Sequence, residues 1–276
     1  MVQVPAPARP FSLGQAVAAS SFFPADILAD FSRELSRSLG FLYQFWPPSP
    51  GGSATPPETE EMLIGDGGLC ENTLITSLVR RQVERIVWAT APSKPLQQTW
   101  DPYERPPRDD DIDESFPSYF GVFTGGAGQI GWTYKNNQIF AKEDFAPLIA
   151  RMQESQRNGT GAVASATLTT VANPWYEVEA GRRVRITVIY LSRAWRWEES
   201  LPEDLQREIV PESEEARRDM GQLRRTGEFA DFPNYSTVAE RYTARKVNAL
   251  DQLSSWVLRE HASQITATLQ GPLAVN

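Results

Sequence analysis

The chain has little of what several classes of enzyme and secreted protein depend on. It contains one cysteine and one histidine among 276 residues, which excludes an internal disulfide and makes a Cys/His zinc site very hard to build. No apolar run approaches the roughly 18 residues that a membrane-spanning helix needs. Residues 1–10 are rich in Ala and Pro and lack the apolar core of a secretory signal. We therefore expect a protein of the cytoplasm or the membrane periphery, with no metal and no cofactor.

Positive charge is also scarce. The chain has 27 Lys and Arg against 35 Asp and Glu, a formal net charge of -8, which argues against a general affinity for nucleic acid or anionic membranes. The segment Trp195-Arg196-Trp197 could form a stacking platform for bases. With a single basic residue between its two tryptophans, it is more typical of core or interdomain packing.

What the chain does contain is typical of a globular protein. Hydrophobic residues make up 41% of it and aromatic residues 11%, enough to argue against disorder. The length fits one large domain or two small ones. We predict a flexible leader over residues 1–12 and a single α/β domain over residues 13–276.

The pattern of apolar residues predicts alternating helices and strands. Strand, helix and strand over residues 62–89 indicate a parallel unit. Residues 183–190 alternate polar and apolar side chains, which predicts a half-solvated strand with Arg183, Arg185 and Thr187 outward. The other predicted elements are a helix over 25–39, a strand over 119–123, a helix over 143–157 closed by Asn158-Gly159, a strand over 166–171, a charged helical surface segment over 203–225, and a long helix from a capping box at 237–240 to about Thr268.

The stretch Met62 to Asn72 is the part of the sequence most typical of a functional site. Three apolar residues, suited to a buried strand, lead to Asp66. Gly67 and Gly68 then allow a sharp turn, and Asn72 suits the N-cap of the following helix. In an open α/β sheet, ligands bind at such strand-to-helix loops, although Asp-Gly-Gly is also common in solvated turns.

This stretch resembles the catalytic-aspartate segment of patatin-like and cytosolic lysophospholipase-type acyl hydrolases. In that family a strand delivers Asp-Gly-Gly or Asp-Gly-Ala, followed by a polar Asn and a helix, and Asp66, Gly67, Gly68 and Asn72 match in that order. Other segments are similar to the C-terminal half of long microbial members: 131–138, 167–171, 190–192 and 231–237. The resemblance covers most of the chain and implies a three-layer α/β sheet with flanking helices, incomplete on its N-terminal side.

The family uses a Ser-Asp dyad, so the resemblance implies that Asp66 assists a nucleophilic serine. That serine stands in a Gly-x-Ser-x-Gly elbow N-terminal to the aspartate, after a Gly-rich oxyanion loop. Neither motif occurs among the 65 residues before Asp66. We therefore expect a C-terminal segment of a phospholipase-like or lysophospholipase-like hydrolase that is inactive alone and is completed by a separately encoded chain. Its substrate would be a lipid or acyl ester. The alternative is a non-catalytic remnant, or a binding or interaction module, on the same scaffold.

Two other residues are candidate catalytic groups. Cys70 could be a thiol nucleophile, but Asp66 and Glu71 disfavour its thiolate, so buried packing is the favoured interpretation. Any His-dependent triad must use His261, and a triad of serine, Asp66 and His261 is formally allowed. The serine elbow is again missing, and His261 continues an apolar helix stripe through Leu253 and Val257.

Two further segments imitate binding motifs. Residues 126–131 satisfy Gly-x-Gly-x-x-Gly, but the sequence that follows has poor helix content, so a nucleotide site is disfavoured. The acidic run over residues 109–114 lacks calcium-loop spacing, which favours a solvated loop over a cation site.

Overall fold

The computed structural model describes residues 12–20, 41–45, 60–64, 71–123, 134, 136–236 and 241–270. The chain divides into two compact units, Met1–Asn72 and Thr73–Asn276. The predicted leader and single domain stay predictions. The helix expected over residues 25–39 and the capping box at 237–240 lie outside the described residues.

The described residues of the first unit form one helix and two strands: α1 (Leu13–Ser20), β1 (Phe41–Phe45) and β2 (Glu60–Ile64). A capping box begins α1, in which the Gln15 backbone N–H donates to the Ser12 hydroxyl and the Ser12 N–H donates to the Gln15 side chain. The strands pair antiparallel, with Phe41 opposite Ile64. The described helical structure thus begins earlier than predicted.

The second unit is α/β, with helices packed around a small mixed sheet. Its elements are α2 (Ile75–Arg80), β3 (Arg85–Thr90), α3 (Ser115–Ser118), a 3-10 helix (Lys142–Asp144), α4 (Phe145–Arg157), β4 (Ala162–Thr169), β5 (Arg183–Tyr190), α5 (Trp195–Glu199), α6 (Glu203–Ile209), α7 (Glu214–Arg218), α8 (Ala244–Glu260) and α9 (Ala262–Gln270).

The sheet of the second unit has the strand order β3-β5-β4. Strand β5 runs parallel to β3, with Arg85 opposite Arg185, and antiparallel to β4, with Ala162 opposite Tyr190. The predicted parallel unit is therefore wrong in its pairing. The parallel partner of β3 is β5, whereas β2 pairs antiparallel with β1. Sequence order cannot reveal a partner that lies about a hundred residues away.

Helix α4 forms because its apolar residues recur at helical spacing. Phe145, Leu148, Ile149 and Met152 are buried, as predicted. The helix ends at Asn158, and Gly159 follows with φ +77. The left-handed backbone favours glycine here, and a Cβ at Gly159 would lie 2.3 Å from the Trp195 ring, so the packing opposes any side chain.

Three element predictions need correction. Residues 119–123 are not a strand, because Tyr119 and Phe120 continue from α3 into a turn and are completely buried. In β5, whose bounds are confirmed, Thr187 is buried under α9 rather than solvated. The long C-terminal helix begins at the N-cap Thr243 and divides at His261.

The buried side chains of the described residues form two clusters. In the first, Trp88 stacks on Phe116 with ring centres 4.8 Å apart and meets Tyr119 edge-on. In the second, Trp197 stacks on Phe232 at 5.8 Å. The packing role predicted for Trp197 is confirmed.

Candidate functional site

The sequence-predicted catalytic segment lies almost wholly beyond the described part of the chain. Asp66, Gly67, Gly68 and Cys70 are outside the described residues, as is the glycine motif at 126–131. Residues Met62 to Ile64 belong to strand β2, as predicted, and the placement of Asp66 at the tip of this strand stays a prediction.

Asn72 is described and exposed, but it does not cap the next helix. That position is taken by Leu74, which has φ 59 and makes no side-chain cap, and the Thr73 hydroxyl accepts from the Ile75 N–H at 3.4 Å. The N-cap prediction for Asn72 is wrong, because the helix starts later than its apolar pattern indicates.

The structure instead points to the edge of the sheet where β3 and β5 end. The register places Thr90 beside Tyr190 and Ala162 on its other side. The carboxyl ends of the parallel strands therefore meet the start of β4. Ligands of α/β proteins bind at such edges.

A cavity of about 200 Å³ lies at this edge, between the sheet and α8. We call it the apolar cavity. None of the described residues that line it is charged, and most of its wall is hydrocarbon. Residues on its rim, including Ala89, Ala91 and Leu258, are exposed. Its main apolar lining residues are Ala89, Ala162, Ile189, Leu191, Val257 and Leu258.

The polar side chain deepest in this wall is already engaged. Ser192 is buried, and its hydroxyl oxygen accepts from the Ala162 N–H at 2.8 Å, while the hydroxyl lies 3.4 Å from the carbonyl of Arg193. A hydroxyl held in this way supports the backbone at the start of β4. The cavity is therefore suited to binding rather than to nucleophilic catalysis.

His261 joins α8 and α9 and does not belong to a catalytic triad in the described structure. Its Nε2 lies 3.0 Å from the carbonyl oxygen of Thr160, and its Nδ1 lies 3.0 Å from the Gln264 side chain. A carbonyl only accepts, so Nε2 carries a proton. Both ring nitrogens thus serve the helix junction, and the formal triad with His261 gains no geometric support.

A second, polar cleft of about 640 Å³ follows β3, lined among others by Lys94, Asp110, Asp111, Arg225, Asp231 and Asn234. Tyr190 connects it to the apolar cavity, because its hydroxyl donates to the Lys94 carbonyl at 2.6 Å and accepts from the Asp113 N–H. Burial, together with nearby Asp113, raises the pKa of the Tyr190 phenol well above its ordinary value. Tyr190 therefore remains a donor.

The acidic run over residues 109–114 is not simply a solvated loop. Asp111 is buried and receives two hydrogen bonds from the Arg105 guanidinium, at 2.5 and 3.0 Å, and one from the Arg108 N–H at 2.6 Å. Burial alone would raise the pKa of this carboxyl, but these hydrogen bonds outweigh it and the pKa lies below its ordinary value. The Asp111 carboxylate therefore holds residues 105–111 together through these hydrogen bonds.

Asn234 is the residue of this cleft that sequence reasoning missed. It is buried, and its Nδ2 donates to the carbonyls of Pro92 and Leu191 at 3.0 and 2.9 Å, whereas its Oδ1 has no hydrogen-bond partner among the described residues. Asp231, three positions earlier, has φ 62. The Asp-Phe-Pro-Asn sequence is a turn signal, but it does not reveal that the turn closes over the ends of β3 and β5.

Comparison with protein-family models, with curated proteins and with solved structures found no match to this chain. Among the described residues, no group of three or more His, Cys, Asp or Glu side chains could hold a metal ion. None of the described helices combines the length and apolar character needed to cross a bilayer.

Proposed function

We propose that the second unit of this chain binds an apolar ligand, the acyl part of a lipid or ester, in the apolar cavity. The observation that carries this proposal is an uncharged, largely hydrocarbon cavity that reaches the surface beside Leu258. Its volume exceeds the roughly 150 Å³ of a cavity known to stay dry and bind benzene. It therefore suits a short acyl chain or the end of a longer one, in a protein of the cytoplasm or the membrane periphery.

Filling the cavity from its rim tests the proposal. Ala89 is exposed and lines the cavity, so Ala89→Phe introduces a ring without disturbing the buried core. We expect short-chain fatty acids to bind the wild-type chain in calorimetry and Ala89→Phe to weaken them about tenfold or more. Ala244→Phe, at an exposed residue outside the cavity, is the matched control. Equal binding by both variants would reject the cavity as the site.

A second function is favoured by the strand that ends at Ile64, just before the Asp-Gly-Gly segment. We propose that Asp66, in a loop with Gly67, Gly68 and Asn72, is the base of a patatin-like Ser-Asp dyad. Another polypeptide would carry its serine. The chain would then be the C-terminal part of a phospholipase-like acyl hydrolase.

The catalytic proposal predicts that the isolated chain is inactive. It should hydrolyse neither p-nitrophenyl acyl esters nor lysophospholipid, and it should resist fluorophosphonate labelling, because its sequence has no Gly-x-Ser-x-Gly elbow to activate a serine. Mixing with a chain that carries a Gly-x-Ser-x-Gly domain should restore turnover, and Asp66→Asn should abolish it. Strong labelling of the isolated chain would overturn the dyad proposal without affecting the fatty-acid result.

A further inference from the structure

A third cavity, of about 340 Å³, lies where α9 covers the middle of the sheet. We call it the arginine cavity. Two strands of the sheet and two helices contribute to it. Its described polar lining consists of donors and hydroxyls rather than acids: Arg151 of α4, Ser165 and Thr167 of β4, Arg185 of β5, and Gln264 and Thr268 of α9.

Both arginines keep most of their hydrogen-bonding capacity. Arg151 donates from Nη1 to the Ser165 carbonyl at 3.1 Å, and Arg185 donates from Nη1 to the Ala267 carbonyl at 3.3 Å. A guanidinium has five N–H groups. Neither side chain has a carboxylate within ion-pair distance among the described residues.

A third arginine adds to this positive charge. Arg85 is the direct neighbour of Arg185 on the parallel strand β3, and it too has no carboxylate partner in the described part of the chain. Like charges directly opposite on neighbouring strands destabilise a sheet. This arrangement stands out in a chain with eight more acidic than basic residues, and a bound anion would relieve the repulsion.

A chain of three hydroxyls, two of them buried, supplies another donor. The Thr187 hydroxyl oxygen lies 2.7 Å from that of Ser165 and 2.7 Å from that of Thr268. Three hydroxyls carry three protons, and the two contacts use two of them. The described residues offer no other acceptor to this chain, and both of its ends, Ser165 and Thr268, line the cavity. An acceptor in the cavity would take the remaining proton.

We propose that the arginine cavity binds a phosphate-type oxyanion, either free or as the exposed group of a larger molecule. Such an ion has only acceptors, so it matches a wall that offers guanidinium N–H groups and a hydroxyl proton. Arginine is the side chain best suited to grip phosphate through two N–H groups at once. The cavity is larger than one phosphate group needs, which leaves space for whatever carries it. This site shares no lining residue with the apolar cavity and stands independently of the proposed function.

The test measures binding of inorganic phosphate by calorimetry at constant ionic strength. We expect saturable binding that Arg151→Gln and Arg185→Gln each weaken about tenfold or more, as for hydrogen bonds to a charged group. Thr268→Val should weaken it less. Arg259→Gln, which removes the same charge from an exposed position on α8, is the matched control and should bind as the wild type does. If Arg185→Gln does not fold, Arg185→Lys should fold and still lose the two-pronged contact.

A second arm distinguishes the source of the phosphate group. Flotation with vesicles of neutral phosphatidylcholine, with and without an anionic phospholipid, reports on a lipid headgroup. Arginine-dependent flotation with the anionic vesicles assigns the site to a lipid, and arginine-dependent phosphate binding without flotation assigns it to a soluble phosphate compound. The proposal is overturned if neither probe binds, or if Arg259→Gln weakens binding as much as Arg185→Gln does.

Discussion

Arg193 and Arg185 lie near the two ends of β5 and show opposite uses of the same side chain. Arg193 is 2% exposed, and its guanidinium meets the Glu198 carboxylate at 2.9 and 2.7 Å. Its Nη1 donates to three carbonyls, those of Ala216, Asp219 and Gln222. Arg185 is half-buried and donates to one carbonyl. Saturated donors mark an arginine that holds the fold, and spare donors mark one that is available to a ligand.

The largest expected effect on stability comes from replacing Arg193, whose donors are saturated. Arg193→Met should lower the free energy of unfolding by about 3–5 kcal/mol, because it leaves the Glu198 carboxylate buried without its partner. Urea denaturation followed by tryptophan fluorescence measures the loss. Arg193→Met combined with Glu198→Leu removes both charges and should recover much of it. A loss below about 1 kcal/mol in the single variant would contradict the structural role.

Arg105 provides an intermediate case, since it is partly exposed and grips Asp111 through two hydrogen bonds. The pKa of the Asp111 carboxyl is lowered in the folded chain, so the unfolded chain binds this proton more readily. The stabilisation by the Arg105–Asp111 ion pair is therefore fully present when the pH is above the pKa of Asp111 in the unfolded chain. It is lost as the pH falls through the pKa of Asp111 in the folded chain.

Asp111→Asn should accordingly cost about 1–3 kcal/mol at neutral pH and much less in acid. Unfolding curves at about pH 6 and about pH 3 should show a smaller pH-dependent loss in this variant than in the wild type. Asp251→Asn, at an exposed position on α8, is the control. If the free energy of unfolding changes with pH equally in Asp111→Asn and the wild type, the ion pair does not contribute to stability.

The smallest effect on stability is expected at the unsaturated arginine. Arg185→Gln should change the free energy of unfolding by no more than about 0.5 kcal/mol, since it forfeits one carbonyl contact and relieves repulsion with Arg85. The same denaturation experiment measures it. If Arg185→Gln lowered the free energy of unfolding nearly as much as Arg193→Met, both arginines would have a structural role.

Local pattern was enough to predict several elements. Strand β5 has the predicted bounds, the buried face of α4 is the predicted one, and Trp197 packs in the core. These features depend on side chains close together in the sequence. The predicted segment 166–171 overlaps β4, which begins earlier, at Ala162.

What the sequence could not predict depends on contacts between distant residues. The alternation of polar and apolar residues in β5 predicts that Thr187 faces solvent. Its hydroxyl instead meets that of Thr268, on a helix 81 positions away. Arg193 stands in an unremarkable segment, and its carbonyl partners are 23 to 29 positions downstream. The parallel pairing of β3 with β5 has the same origin. For Asp66, Gly67 and Gly68, the site remains a prediction from sequence.

The turn at Gly159 has a consequence for how this protein can change over evolution. A side chain at Gly159 is opposed both by the left-handed backbone and by the Trp195 ring, 2.3 Å from where a Cβ would stand. The Trp195 ring also meets the Arg157 carbonyl at 3.4 Å through its Nε1. Asn or Asp tolerates the backbone conformation, but either side chain requires the Trp195 ring to move or to become smaller. A substitution at Gly159 should therefore be tolerated better after Trp195 has changed than before.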